Sequence, residues 1–403
     1  MPRRRPHIVR YTMVPNGVFG RCCLAAGLLL AALAPVVQAA DWTAVTSDRA
    51  AVAGSPVRET AWTLPRPPGG PFDRIGLHRY RGPGAPIATL LYLPGTNMNG
   101  EVALADERHN LWLYLAARGV EVFTLDYRTH AVPADAPPAA LAALRGWDTP
   151  AFLGDIAAAS AEARRLAGRE RLFVAGFSRG GVLAYAHALT SPEAVAGVVV
   201  LDAPFKNRVP GEKFDAAAAL ARLDASGAWA SDVAGSRGWE WRQRLMQAVV
   251  RDPAAPSSDA RFATVGEELA EVLQTAWTPG GLANLHGGFS QARVLARLLA
   301  DYDRWYPAVQ DVDQRSIADH ADDPRTPIDD RWGRLDAPVL AFVSTGLGPD
   351  WVANARHSAE ASGSRDVTVQ VLDGWGHLDV VAGEQAAERV YAPVLAWLRE
   401  RAR

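Results

Sequence analysis

The sequence predicts an α/β fold: a mostly parallel sheet with helices on both faces and a helical cap insertion. Three observations predict it. Short apolar runs at 87–93, 120–125, 171–175, 196–201, 338–343 and 367–372 read as strands covered on both faces. Helical patterns at 107–118, at 150–167 and from the Gly176–Gly180 stretch to about residue 190 separate the first of them, the alternation of a parallel sheet. After Pro204 the rhythm breaks, and only helical patterns near 213–226, 238–251, 265–276 and 288–305 follow before the strands resume.

Residues 1–40 read as a signal peptide. Five arginines flank an apolar run from Cys22 to Val37, and Gln38-Ala39-Ala40 supplies small residues for cleavage. The run is short for a membrane span, so the mature chain is expected to be periplasmic or secreted, with no stable membrane insertion. Both cysteines, Cys22 and Cys23, lie in this segment, so stability must come from the core and not from disulfides. Removing it leaves 37 basic against 44 acidic residues, a net charge of −7 instead of −2. Nucleic acid is a poor partner for such a chain.

The remainder divides into a first core part at 41–204, a cap insertion at 205–335 and a second core part at 336–403. Partly alternating stretches at 57–64 and 74–81 suit antiparallel edge strands. A final helix is expected over 384–401. The acidic residues Asp319, Asp322, Asp323, Asp329 and Asp330 lack the spacing of a calcium loop and read as a solvated acidic stretch. No metal and no cofactor is expected.

The chemistry gathers where strands end. Gly176-Phe177-Ser178-Arg179-Gly180 sits between the 171–175 strand and a helix, a sharp turn that exposes a serine. A serine needs a base to become nucleophilic, and His377, flanked by glycine after the last strand, is placed to serve. His187 and His357 fall on helices away from the turn; His130 and His286 are weaker candidates. The orienting acid is assigned to Asp350, after the penultimate strand, with Asp202 as its competitor. Asp373 and Asp379 read as shaping the His377 loop. Backbone N–H groups of Thr96 and Arg179 are expected to form the oxyanion hole. Asn97, Phe177, Trp239, Trp277 and Trp305 are the candidate pocket residues.

Ser178, Asp350 and His377, in that chain order, resemble the α/β-hydrolase superfamily over most of residues 56–400. The stretches Gly348-Pro349-Asp350-Trp351 and Gly376-His377-Leu378-Asp379 are similar to the acid-lipase family. Phe177 stands where that family commonly has histidine, and Pro94-Gly95 replaces its usual His-Gly pair. The resemblance implies a serine hydrolase that cleaves small-molecule or lipid-like carboxylic esters through an acyl-enzyme. Two other readings stay open: an amide or peptide hydrolase of the capped aminopeptidase type, and a non-catalytic binding protein using the same pocket.

Overall fold

The computed structural model describes residues 41–209, 214–275, 288–319 and 325–402. The expected signal segment lies outside them. The described strands are β1 (Thr43–Ala50), β2 (Arg58–Pro65), β3 (Arg74–Arg81), β4 (Ala88–Leu93), β5 (Val120–Asp126), β6 (Leu172–Phe177), β7 (Val195–Leu201), β8 (Ala230–Asp232), β9 (Trp305–Pro307), β10 (Val339–Ser344) and β11 (Val367–Leu372).

Nine of them form one sheet in the order β1-β2-β3-β5-β4-β6-β7-β10-β11. The first three pair antiparallel, as does β3 with β5; from β5 to β11 every neighbouring pair is parallel. The apolar runs are continuous because both faces are covered. In β7, Val198 and Val200 enter one core while Val199 and Leu201 enter the other. Each such side chain contributes roughly 1.5–3 kcal/mol on burial. The helices between strands carry readable punctuation. Thr149–Ala167, for instance, starts at Asp148, whose carboxylate caps the Ala151 N–H, and stops at Gly168 with φ 62°.

Two elements carry too little apolar pattern to be seen in the sequence. Strand β1 is exposed along nearly its whole length and is held by its ladder to β2. The helix Val309–Ala318 buries Gln310, Asp313 and Ser316 beside its valines and Ile317, so its inward face is half polar.

Between β7 and β10, adjacent in the sheet, the chain forms helices Ala216–Ser226, Trp239–Arg251, Val265–Thr275, Ala292–Ala300 and Val309–Ala318, plus the small β8–β9 ladder. Met246, Val249, Leu269, Leu273 and Leu295 bind the middle three helices to the core on one face of the sheet. No described helix is long and apolar enough to cross a membrane.

The register lines up the strand ends. Leu93 lies opposite Gly176, Phe177 opposite Leu201, and Ser344 opposite Leu372. The segments leaving β4, β6, β7, β10 and β11 therefore emerge along one edge, where sites form in open parallel sheets.

Candidate active site

Ser178 follows β6 directly and opens the helix Arg179–Thr190 with φ 55° and ψ −125°. Few non-glycine residues tolerate such a backbone, and it persists only where neighbours enforce it. Here the neighbours are glycines. A methyl on Gly176 would fall on the Gly180 carbonyl, and one on Gly180 would fall on the Leu93 carbonyl of β4. The Ser178 N–H donates to the Leu201 carbonyl at 3.0 Å, which ties the turn to the end of β7.

His377 lies on the loop after β11. Its ring packs at a tilt of 30° against Phe177, the residue before Ser178, with centroids 4.6 Å apart, and meets the Trp351 ring edge-on at 5.6 Å. Its Nδ1 donates to Asp202 Oδ2 at 2.7 Å.

That contact corrects the assignment of the acid. The carboxylate beside His377 is Asp202, directly after β7, and not Asp350. Asp202 is fully buried, at φ 54°, and accepts from Ser344 N (2.7 Å), Ser344 Oγ (2.6 Å) and Trp351 Nε1 (2.9 Å). Asp350 sits exposed in the first turn of the helix Pro349–Glu360. The reason is local. Ser344 already uses the end of β10 to hold Asp202, and helix formation from Pro349 leaves Asp350 facing solvent while Trp351 turns inward. Sequence reasoning misses Ser344 and names Trp351 only as the neighbour of Asp350; a serine ending a strand opposite an acid-bearing neighbour is the signal available.

Asp379 shapes the histidine loop as expected. It accepts from the Gly376 N–H at 2.9 Å and from Ser290 Oγ at 2.5 Å, joining the loop to the insertion. Phe289 stacks on Trp375 beside it, centroids 5.3 Å apart. Asp373 is exposed.

Gly95, on the loop after β4, packs against the turn: a methyl there would come within 3.2 Å of Ser178 Cβ and of Phe177. Thr96 follows it. Arg179 begins its helix, so its N–H has no acceptor within that helix. Its guanidinium points away, to Thr149 Oγ1 (2.7 Å) and Gln310. Tyr306 of β9 lies buried beside Thr96 and Arg179, where burial first of all pushes its hydroxyl up to about 12.

The other candidate pocket residues have different surroundings. Asn97, at φ 61°, gives its side-chain amide to the backbone oxygens of Asp303 (2.8 Å) and Arg304 (3.4 Å), so that amide clasps the insertion and not a ligand. Trp305 donates to the Pro133 carbonyl at 3.2 Å and is covered by Arg304. Trp239 lines a 540 Å³ surface cavity with Trp241, Arg237 and Arg304, which Ser178 and His377 do not border. Phe177 supports His377. Trp277 and His286 lie outside the described residues.

A second charged group lies behind the Pro94–Gly100 loop. His78 bridges Glu59 (2.9 Å) and Asp126 (2.8 Å); burial opposes its charge, but Asp126 and then Glu59 outweigh it and push it up to about 10. His130 pairs with Asp303 at 2.8 Å; burial again lowers it, while Asp303 and Asp126 push it up to about 9. Among the described residues no group of side chains could hold a metal ion. Asp319 bonds to Asn207 at 2.8 Å, and residues 320–323 lie outside the described part.

This is the α/β-hydrolase fold with a buried serine turn, histidine and carboxylate at one sheet edge. The model of a serine aminopeptidase family (S33) matches residues 98–277, less than half of the chain. A protein from Sulfolobus solfataricus, provisionally named a lipase, superposes with a TM-score of 0.73 at 24% identity, covering 90% of this chain and 99% of its own. An esterase from Thermogutta terrifontis matches at TM-score 0.46 and 17% identity over 84% and 96% of the two chains. No curated protein matches the sequence. The structural likeness shows that the chain has the α/β-hydrolase fold, and the family match covers part of it.

Proposed function

We propose that the protein is a serine hydrolase that cleaves carboxylic esters through an acyl-enzyme on Ser178. The observation that carries this reading is the Asp202–His377 hydrogen bond at 2.7 Å, set against the residue preceding Ser178. In the proposed cycle, Ser178 Oγ attacks the ester carbonyl as its proton passes to His377 Nε2. Collapse of the tetrahedral adduct expels the alcohol, which takes that proton. Water, deprotonated by the same histidine, then releases the acid. Asp202 holds the imidazole in the tautomer with Nδ1 protonated and stabilises the imidazolium. The backbone N–H groups of Thr96 and Arg179 would receive the oxyanion. The name of the Sulfolobus solfataricus protein leans toward an ester substrate.

The aminopeptidase family match favours a second reading, amide cleavage next to a free amine. An insertion carboxylate would have to read that amine. Asp303 is already paired with His130, and burial, then Glu101 and Asp303, push Asp301 up to about 7, which makes it a weak anion at neutral pH. The name of the Sulfolobus solfataricus protein keeps the ester reading first. Fluorophosphonate labelling and a panel of p-nitrophenyl esters against aminoacyl p-nitroanilides test both. Ester turnover and labelling that vanish in Ser178→Ala support the proposal; a binding protein without turnover would process neither series. Export is proposed from residues 1–40, and a secreted product whose N-terminus begins near Asp41 would support it.

A further inference from the structure

We infer that the insertion segment from Asp301 to Arg304 sets the shape of the oxyanion loop, with Asn97, Asp303 and His130 as its positioning residues. The inference rests on the serine-hydrolase reading above. It starts from an exchange of hydrogen bonds between two segments about two hundred residues apart in sequence. The Asp303 N–H donates to the Asn97 carbonyl at 2.7 Å, and the Asn97 amide donates back to the Asp303 carbonyl at 2.8 Å. Asn99 repeats the pattern one step on, its amide donating to the Asp301 carbonyl at 3.0 Å.

The loop is thereby gripped from the insertion side at residues 97 and 99. From the sheet side it is gripped at Gly100, whose N–H donates to Asp126 Oδ1 at 2.7 Å and whose carbonyl accepts from Tyr80 at 2.9 Å and Thr124 at 2.6 Å. At its start, Gly95 is wedged against Ser178 and Phe177. Thr96 lies between these anchors. The direction of its N–H therefore depends on Asn97, which is held in the left-handed region at φ 61°.

Asp303 is itself anchored. Its Oδ1 accepts from His130 Nδ1 at 2.8 Å, and His130 stands on the short turn Arg128–Ala131 that leaves β5. The chain of contacts runs from a core strand through His130 and Asp303 to Asn97, and so to the peptide next to the proposed donor. Oxyanion donors act only when held at the position the charge will occupy, and a misplacement of about 1 Å can cost on the order of 100-fold. The insertion then does more than cover the site: it completes it.

The test separates positioning from folding. Asn97→Gly keeps a residue at ease at positive φ and removes only the amide clasp. His130→Gln keeps a donor toward Asp303 but loses the charge. With p-nitrophenyl acetate as substrate and phenylboronic acid as the tetrahedral analogue, Asn97→Gly is expected to lower kcat about tenfold with KM nearly unchanged, and to weaken boronate binding by the same factor, because both report the oxyanion site. His130→Gln is expected to do the same more mildly. Unchanged kcat and boronate affinity in Asn97→Gly, or a loss confined to KM or to the thermal midpoint, overturns the inference. Ser178→Ala distinguishes the two levels. Turnover that survives in Ser178→Ala removes the hydrolase reading itself. Turnover lost in Ser178→Ala but intact in Asn97→Gly removes this inference and leaves that reading standing.

Discussion

Asp202 and Ser344 meet twice: the Ser344 N–H donates to Asp202 Oδ1 at 2.7 Å and its hydroxyl to Oδ2 at 2.6 Å. With the Trp351 indole at 2.9 Å, three donors besides His377 fix a carboxylate that has no contact with solvent. Bonds to an ionised acceptor are the strong ones, and several of them leave Asp202 one orientation toward His377. Asp202→Asn is expected to lower kcat by about 10³-fold or more, since an amide favours the wrong imidazole tautomer. Asp350→Asn, at an exposed helix start, is expected to stay within about twofold of the parent. Steady-state kinetics on the two purified variants decides which aspartate serves, and equal losses would remove Asp202 from its role.

Tyr306 offers a stability test at the same edge. Its hydroxyl is buried beside Thr96 and Arg179 and meets both only at the margin of hydrogen-bond geometry. A buried polar atom left wholly unsatisfied costs about 1–3 kcal/mol, and one so poorly satisfied contributes little. Tyr306→Phe is therefore expected to leave stability unchanged or to raise it by about 1 kcal/mol, read from urea unfolding midpoints. A clear loss of stability would mean that the hydroxyl is satisfied after all.

The His78 bridge predicts a loss of stability on the alkaline side. Its pKa is raised to about 10 in the folded chain, so the stability it contributes is complete below its ordinary value of 6.5 and fades as pH climbs toward 10. The Glu59 and Asp126 carboxyls are held low after burial is offset by His78, so they add no slope in this range. Unfolding midpoints measured from pH 6 to 10 should fall in the parent and fall less in His78→Gln. His130, raised to about 9, contributes to the slope that remains.

His187 acts in the opposite direction. Burial first, then Arg164, lowers it to about 4, and neither ring nitrogen has a partner among the described residues. The folded chain holds it neutral, so its contribution is complete above 6.5 and is lost as pH falls toward 4, on the order of 3 kcal/mol in all. His187→Leu should flatten the acid limb of stability between those values. An unchanged acid limb would show that His187 is already neutral in the unfolded chain over that range, or charged in the folded one.

The strands of the parallel sheet, the serine turn and the loop of His377 were legible because each rests on a local pattern. Continuous apolar runs follow from burial on both faces, and Gly176 and Gly180 are required by contacts within the turn and with β4. Strand β1 was not legible, since it buries almost nothing, and neither was the helix Val309–Ala318, whose inward face carries Gln310 and Asp313. Nor is the clasp of Asn97 legible, because its partner, Asp303, is far along the chain.

What the sequence determined by itself was the layered α/β architecture, the position of Ser178 and the loop that offers His377, all consequences of side-chain period and turn chemistry within a few residues. The tertiary structure decided which carboxylate meets the histidine. Asp202 and Asp350 both follow strands of the same sheet, and nothing local distinguishes them. The choice falls to Asp202 because Ser344 and Trp351, from the neighbouring strand and helix, turn their donors onto it while Asp350 is left in solvent.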